Sequence, residues 1–232
     1  MIIDLDGTIL DISERDAFAR YEALNRLGYE VSLAQIKQHY RYGVGLMGIL
    51  KSLNISLTEE ETEEYLNARL SSFTDRNNAL SLTKIHKGAA EALATLSQKC
   101  RLILVTSRRK LSSVEEELDW FNIRGFFSLI VTRDVASMYH GVENIPLLSF
   151  QYQRAKLYEC VIGVAKLDPK ALICVGDSVG ELEPAKTMQM TTIGVLTGIS
   201  SRKDLEEFSD LIVHDITKVS EALSRLDCSY TC

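Results

Sequence analysis

Six short runs of Ile, Val and Leu recur along the chain and constrain its fold more than any other feature of the sequence. Each run is continuously apolar rather than alternating, which indicates strands buried on both faces, as in a parallel sheet covered by helices. Amphipathic stretches lie between most of the runs, and this alternation favours a doubly wound parallel α/β fold with a Rossmann-like core. The six predicted strands are residues 1–5, 101–106, 128–132, 171–176, 191–196 and 210–214.

One long interval, residues 11–85, contains no predicted strand. The apolar periodicity in it predicts several helices, among them residues 14–27, 33–40 and 58–72. Thr58 and Glu61 have the spacing of a capping box at the start of the last one. Because the interval is too long for an ordinary strand-to-helix connection, we predict an inserted helical domain there. Residues 1–10 and 86–232 would then form the α/β core.

Composition places the chain among ordinary globular proteins. It has 232 residues, a formal net charge of -6, 46% hydrophobic and 25% charged residues, which argues against disordered, collagen-like and disulfide-scaffold classes. The negative charge disfavours a nucleic-acid partner, since phosphate backbones are bound by clustered Lys and Arg. No run approaches the ~18 apolar residues of a membrane span, and no signal segment is recognisable. Five cysteines without a Cys-x-x-Cys pair favour a cytoplasmic protein. The oligomeric state is left open.

The first predicted strand ends in two carboxylates. Asp4 closes the apolar run, Asp6 lies two residues further on, and Gly7 permits a tight turn. Because ligands bind at the carboxyl ends of the strands in an open parallel sheet, both aspartates are candidate site residues. One can act as a nucleophile while the other exchanges a proton with the leaving group, and a divalent cation would relieve their repulsion. The alternative is an ordinary Asp-rich turn.

Two further strand ends carry polar side chains. Asp177 directly follows the fourth predicted strand, and Glu181 lies where the next helix should begin. Acidic groups in these places can hold a hard cation such as Mg²⁺. Thr106 and Ser107 follow the second strand, where small hydroxyls and freed backbone amides suit a phosphate oxygen. At both strand ends, simple capping of the following helix is the alternative.

The combination of these strand ends, in this chain order, resembles the haloacid dehalogenase-like hydrolase superfamily, and within it the phosphoglycolate phosphatase group. The resemblance covers nearly the whole chain, and the helical insert matches the cap domain of many members. The motifs that carry the resemblance are Asp4-Leu-Asp-Gly-Thr, Ile103-Leu-Val-Thr, Gly176-Asp-Ser and Ile193-Gly-Val-Leu-Thr-Gly.

The resemblance implies a role for each of these residues. Asp4 would attack phosphorus and become a transient aspartyl phosphate. Asp6 would protonate the leaving alkoxide and then activate the hydrolytic water, and an acid at this position favours phosphate over halide chemistry. Mg²⁺ would be held by an Asp4 oxygen, the Asp6 backbone carbonyl and Asp177, while Thr106 would bind a phosphoryl oxygen. Such an arrangement meets the main demand of phosphoryl transfer, which is to position the groups and neutralise charge.

Two positions depart from the family pattern. Glu181 stands where most relatives have a second Asp, so its role toward the metal could be direct, through water, or lost. The family also has a lysine shortly after the third strand, and here Lys156 is the first lysine available, with Arg154 just before it. We predict that Lys156 is the cation that neutralises Asp4 and the phosphate; the alternatives are that Arg154 is this cation, or that Lys156 is an exposed lysine on a helix.

Two expectations concern aromatic and flexible residues outside these motifs. The stretch from Tyr40 to Gly45 offers a cation, aromatics and glycines that could line a small anionic substrate in the cap. Trp120, near the end of an amphipathic stretch, is expected to pack between a helix and the sheet.

The sequence therefore predicts a Mg²⁺-dependent phosphoric monoester hydrolase that acts on a small phosphate ester, either phosphoglycolate-like or a sugar phosphate. One alternative is a phosphomutase that uses the same aspartyl phosphate. Another is a non-catalytic binding or regulatory module that has kept the fold. The changed lysine region and Glu181 are the features that support this alternative.

Overall fold

The computed structural model of the protein describes residues 1–40, 46–145 and 149–225. The chain divides into two compact units, here called the sheet unit (Met1–Leu10 with Ile85–Cys232) and the helical unit (Asp11–Lys84). These boundaries differ from the predicted ones only in the placement of Ile85.

The sheet unit is built on six parallel strands. They are β1 (Ile2–Ile3), β4 (Leu102–Val105), β5 (Phe127–Val131), β6 (Ile173–Gly176), β7 (Thr191–Val195) and β8 (Leu211–Val213). Their order in the sheet is β5-β4-β1-β6-β7-β8. Every predicted strand is present, and the predicted α/β fold class is confirmed.

The central strand β1 sets the position of the residues that follow it. Ile3 faces Leu104 of β4 on one side and Val175 of β6 on the other, and the backbone N–H of Asp4 donates to Val175 O at 3.0 Å. The carboxyl ends of these three parallel strands therefore meet at one edge of the sheet, where ligands bind in folds of this type.

The sheet is covered by helices whose apolar residues pack against it. Four of its strands, β1, β4, β6 and β7, are buried along their whole length, which is why apolar residues dominate them in the sequence. The helices are α6 (Ala89–Ser97), α7 (Leu111–Trp120), α8 (Arg133–His140), α9 (Phe150–Ala165), α10 (Val179–Thr187), α11 (Arg202–Leu205) and α12 (Val219–Leu223), with short 3-10 turns at Arg124–Phe126, Pro169–Ala171 and Ile216–Lys218.

The helical unit has its own small core, formed by residues such as Leu24, Ile36, Ile49 and Tyr65. The predicted capping box is present at the start of the helix Glu59–Thr74, where Glu61 N donates to Thr58 Oγ1 at 3.2 Å and Thr58 N donates to Glu61 Oε2 at 2.8 Å. Its helices are α1 (Ser13–Arg26), α2 (Leu33–Tyr40), α3 (Leu46–Ser52), α4 (Glu59–Thr74) and α5 (Arg76–Leu82). A separate two-stranded sheet pairs β2 (Leu10–Asp11) with β3 (Lys84–Ile85).

Two expectations from the sequence, one about Trp120 and one about the substrate-lining stretch, are not confirmed. Trp120 is 59% exposed rather than packed against the sheet, because it lies two residues after the buried Leu118 of α7, about 200° around the helix from it. Residues 41–45, predicted to line the substrate site, lie outside the described residues. Among the described helices, none is both long and apolar enough to cross a membrane.

Candidate active site

Asp4, the predicted nucleophile, is 4% exposed at the carboxyl end of β1. Its Oδ1 accepts a hydrogen bond of 2.5 Å from Arg154 Nη2. Its Oδ2 is buried and has no hydrogen-bond partner within the described part of the chain. One carboxylate oxygen is therefore anchored, while the other keeps its lone pairs for a ligand or for chemistry.

Arg154 is the buried cation of the site. Besides Asp4, its Nη2 donates to Glu181 Oε1 at 2.5 Å, and its Nη1 donates to Val105 O at 2.8 Å. The Phe150 ring centroid lies 5.6 Å from the guanidinium carbon, within reach of a cation–π contact. Although burial opposes it, the carboxylates of Glu181 and Asp4 raise the pKa of Arg154 well above its ordinary value, so the guanidinium stays charged.

Lys156 lies elsewhere, and the prediction that it neutralises Asp4 is revised in favour of Arg154. Its Nζ donates to Glu159 Oε2 at 2.7 Å, and its side chain is 29% exposed. The reason is helical geometry: two residues along an α-helix turn the side chain by about 200°. Arg154 therefore faces the sheet and Lys156 faces away from it.

Asp177 directly follows β6, and the backbone of two loops packs against its carboxyl group. Its Oδ2 accepts from Ile199 N at 2.8 Å, and its Oδ1 accepts from Thr8 Oγ1 at 3.4 Å. A Cβ at Gly7 would lie 2.7 Å from the Asp177 carboxyl, and a Cβ at Gly198 only 1.7 Å from Oδ2. The glycines in both motifs are required because the chain passes directly over this carboxyl group.

Glu181, at the start of α10, uses both carboxylate oxygens within the protein. Its Oε2 accepts from the backbone N–H groups of Asp177 at 3.2 Å and Ser178 at 3.3 Å, and its Oε1 accepts from Arg154. The Glu side chain thus caps its own helix while it pairs with the buried guanidinium. An oxygen of Glu181 still lies within 4.8 Å of carboxylate oxygens of Asp4 and Asp177.

Asp6, the predicted acid and base, is held by Arg108. Arg108 Nε donates to Asp6 Oδ2 at 2.9 Å and Arg108 Nη2 donates to Asp6 Oδ1 at 2.5 Å. The same guanidinium also pairs with Glu117 of α7. Burial lowers the pKa of Arg108, but the carboxylates of Asp6 and Glu117 raise the pKa by more, so that it lies above its ordinary value.

The predicted phosphate-binding hydroxyls follow β4. Thr106 is 1% exposed, and its Oγ1 accepts from Arg108 N at 3.3 Å, so the hydroxyl proton remains available to a ligand. Ser107 Oγ is buried without a hydrogen-bond partner among the described residues. Neither hydroxyl caps the following helix, which begins at Leu111. The capping alternative is therefore not what the structure shows here.

The electrostatics of the cluster fit a hard divalent cation. Asp4, Asp177 and Glu181 are all buried, and with Arg154 they carry an excess of two negative charges when ionised. Burial raises the pKa of Asp4 well above its ordinary value of 3.8, and Glu181 raises it further. Burial and then Glu181 also raise the pKa of Asp177. An oxygen-only donor set with uncompensated negative charge suits Mg²⁺.

Comparison with known proteins assigns the family. The sequence profile of the haloacid dehalogenase-like hydrolases matches residues 1–195, so the chain belongs to this family. A phosphoglycolate phosphatase from Aquifex aeolicus (strain VF5) is 23% identical over 222 residues, which covers 95% of this chain and 96% of that relative.

Solved structures share the fold over nearly the full length. A haloacid dehalogenase-like family hydrolase from Streptococcus pneumoniae has a TM-score of 0.75 at 18% identity, covering 96% of each chain. A Thermotoga maritima protein assigned as a β-phosphoglucomutase has a TM-score of 0.63 at 20% identity, covering 97% of this chain and 98% of that chain. The predicted resemblance is confirmed, and the predicted enzyme class is confirmed at the level of the family, a hydrolase.

Proposed function

We propose that this protein is a Mg²⁺-dependent phosphatase that hydrolyses a small phosphate monoester, of the phosphoglycolate or sugar phosphate type, through an aspartyl phosphate on Asp4. The observation that carries the proposal is the state of the Asp4 carboxylate: Oδ1 is anchored by Arg154, while Oδ2 is buried without a partner among the described residues. A carboxylate oxygen in that state is a prepared nucleophile. The name of the Aquifex aeolicus relative supports the choice of substrate class.

The chemistry uses the two aspartates in turn. Asp4 Oδ2 attacks phosphorus, the bond between phosphorus and the ester oxygen breaks, and that oxygen takes a proton from Asp6. Asp6, now ionised, removes a proton from water, which attacks the phosphorus of the aspartyl phosphate. The bond between phosphorus and Asp4 then breaks, which releases inorganic phosphate and restores both carboxyl groups.

The remaining residues position the phosphoryl group and balance its charge. Thr106 and Ser107 offer hydroxyls to its oxygens, and Arg154 keeps a positive charge beside Asp4 throughout. Asp4, Asp177 and the Asp6 carbonyl would hold Mg²⁺, which would offset the charge on the phosphoryl oxygens.

The arrangement weighs against a non-catalytic module. That alternative drew support from the missing lysine and from Glu181, but Arg154 supplies a buried cation at Asp4 and Glu181 anchors it. Several buried carboxylates that repel one another lower the stability of the folded protein, so their presence calls for a function. A phosphate-transfer site is such a function.

The test is hydrolysis of p-nitrophenyl phosphate and of 2-phosphoglycolate by the purified protein, with Mg²⁺ and with excess chelator. We expect release of inorganic phosphate that chelator abolishes and added Mg²⁺ restores. Asp4→Asn should lose at least about a thousandfold in kcat while it keeps the fold, because the amide is a poor nucleophile.

A matched control is Asp168→Asn, which changes the same residue type at the cap of a short 3-10 turn. Asp168→Asn should keep wild-type turnover. Undiminished turnover by Asp4→Asn would contradict the assigned nucleophile, and metal-independent turnover would contradict the metal requirement.

A phosphomutase remains the second candidate, since the fold is shared with the Thermotoga maritima protein assigned as a β-phosphoglucomutase. A mutase would re-use the aspartyl phosphate to phosphorylate a sugar phosphate instead of passing it to water. Isomerisation of a sugar phosphate that is accelerated by a sugar bisphosphate, with little release of inorganic phosphate, would favour the mutase.

A further inference from the structure

A bridge of three charged side chains, here called the Asp6–Arg108–Glu117 bridge, links the predicted acid and base to the interior of the sheet unit. The Asp6 side chain is 23% exposed, the Arg108 side chain 11% and the Glu117 side chain only 2%. One edge of the guanidinium donates to both oxygens of Asp6, from Nε at 2.9 Å and from Nη2 at 2.5 Å. Its other end contacts both oxygens of Glu117. The rigid fork of an arginine is suited to such double bidentate contact.

Local sequence places each member of the bridge. Arg108 follows the end of β4, where its backbone N–H donates to Thr106 Oγ1. Glu117 lies on the buried face of α7 with Val114 and Leu118. A glutamate on an apolar helix face is unfavourable unless its charge is paired. The buried Glu117 therefore holds the guanidinium of Arg108 in place, and Arg108 in turn contacts Asp6.

The contact determines how Asp6 presents its oxygens. Each Asp6 oxygen uses one lone pair to accept from Arg108 and retains another that can carry or accept a proton. A planar, two-point contact fixes the plane of the carboxyl group, which an isolated aspartate on an exposed turn would not keep. Proton transfer depends steeply on such orientation, since a misplacement of about 1 Å can cost on the order of 100-fold in rate.

We propose that Arg108 is a positioning residue for the acid and base steps of Asp6, and that Glu117 holds Arg108 in the orientation these steps require. This inference rests on the proposed phosphatase function. It assigns Arg108 no contact with the substrate, so its effect appears only in steps that need a proton from Asp6 or give one to it.

The test compares kcat/KM for two esters that differ in their need for a proton. An alkyl phosphate such as 2-phosphoglycolate releases a basic alkoxide and needs Asp6 as an acid, whereas p-nitrophenolate leaves without a proton. Since kcat/KM covers steps up to release of the alcohol, we expect Arg108→Ala to lower it about tenfold or more for the alkyl ester and little for the aryl ester. Arg108→Lys should restore part of the loss, because it returns the charge without the two-point contact.

The matched control is Arg124→Ala, which removes an arginine that pairs with Glu115 of the same helix α7. It should leave both values of kcat/KM unchanged. Because Arg108→Ala leaves Glu117 buried beside a lost cation, the double variant Arg108→Gln with Glu117→Gln provides a neutral pair of similar shape. It should show the same selective loss for the alkyl ester.

Equal losses for the two esters in the Arg108 variants would overturn the positioning role while the phosphatase function stands. A folded wild-type protein that hydrolyses neither ester nor any other alkyl phosphate would overturn the proposed function and the inference with it. Glu117→Gln alone should give a smaller selective loss, since Arg108 would keep Asp6 but lose its anchor. Wild-type selectivity in Glu117→Gln would overturn the anchoring role.

Discussion

Arg154 Nη2 lies 2.5 Å from Asp4 Oδ1 and 2.5 Å from Glu181 Oε1, with all three side chains almost fully buried. The guanidinium thus joins a residue of the first strand end to a residue at the start of α10. Its Nη1 reaches a third element through the backbone oxygen of Val105 at the end of β4. One side chain therefore contacts the ends of β1 and β4 and the start of the helix that follows β6.

The first prediction concerns the loss of this cation. Arg154→Met would leave the carboxylates of Asp4 and Glu181 buried without a cation, and breaking a buried pair in this way costs about 3–5 kcal/mol. We expect that drop in the free energy of unfolding, measured by urea denaturation at neutral pH, together with loss of phosphatase turnover.

Lys156→Met is the matched control, since Lys156 lies two residues away and pairs with Glu159 at the surface. Its free energy of unfolding should stay within about 0.5 kcal/mol of wild type, with unchanged turnover. If Lys156→Met were the inactive variant and Arg154→Met the active one, the revision from Lys156 to Arg154 would be wrong.

The choice between these two cations could have been made from helical periodicity. Leu157, Tyr158 and Val161 are buried along α9, and Arg154 lies three, four and seven residues before them on the same face. Lys156 does not belong to that set. The family pattern directs attention to a lysine, whereas the apolar stripe identifies the residue that faces the sheet.

Other parts of the structure differ in how far the sequence specifies them. The strands could be predicted because strands buried on both faces are dominated by apolar residues, and strand ends then place Asp4, Thr106 and Asp177 at one edge of the sheet. The pairing of Asp6 with Arg108 could not, since it depends on how the loop after β4 turns toward the first strand end. An apolar side chain at the end of a helix is also not necessarily buried, as the exposed Trp120 shows.

The second prediction concerns the backbone around Asp177. Gly198→Ala would place a Cβ 1.7 Å from Asp177 Oδ2, an impossible distance, so the carboxyl or the loop must move. We expect Gly198→Ala to lose most of the increase in Tm that Mg²⁺ gives the wild-type protein, because a displaced Asp177 binds the ion less tightly. Differential scanning fluorimetry with and without Mg²⁺ measures this increase.

Gly125→Ala provides the control for that measurement, because nothing lies within 4 Å of its added Cβ. It should keep the full Mg²⁺-dependent increase in Tm. A full increase in Gly198→Ala as well would contradict the prediction that the added Cβ displaces an Asp177 carboxylate that holds the ion.

The third prediction concerns pH in metal-free buffer. Burial and then Glu181 raise the pKa of Asp177 in the folded protein above 3.8, so above that pH the folded state binds a proton that the unfolded state has lost. The free energy of unfolding therefore falls as pH rises through this window. Asp177→Asn removes this titration, and its stability relative to wild type should increase as the pH rises above 3.8. A difference that is constant over this range, measured by urea unfolding, would contradict the raised pKa.

The fourth prediction concerns Asp16 in the helical unit, where the sign is opposite. Although burial opposes it, Arg69 and Arg20 lower the pKa of Asp16 below 3.8, with Arg20 Nε 2.8 Å from its Oδ2. The stabilisation from ionised Asp16 is thus fully present above pH 3.8 and is lost as pH falls through the lowered pKa. Asp16→Asn should cost about 1–3 kcal/mol at neutral pH, a range reduced because Arg69 is 31% exposed. The cost should shrink toward about pH 3, and a cost that grows toward acid pH would contradict the pairing.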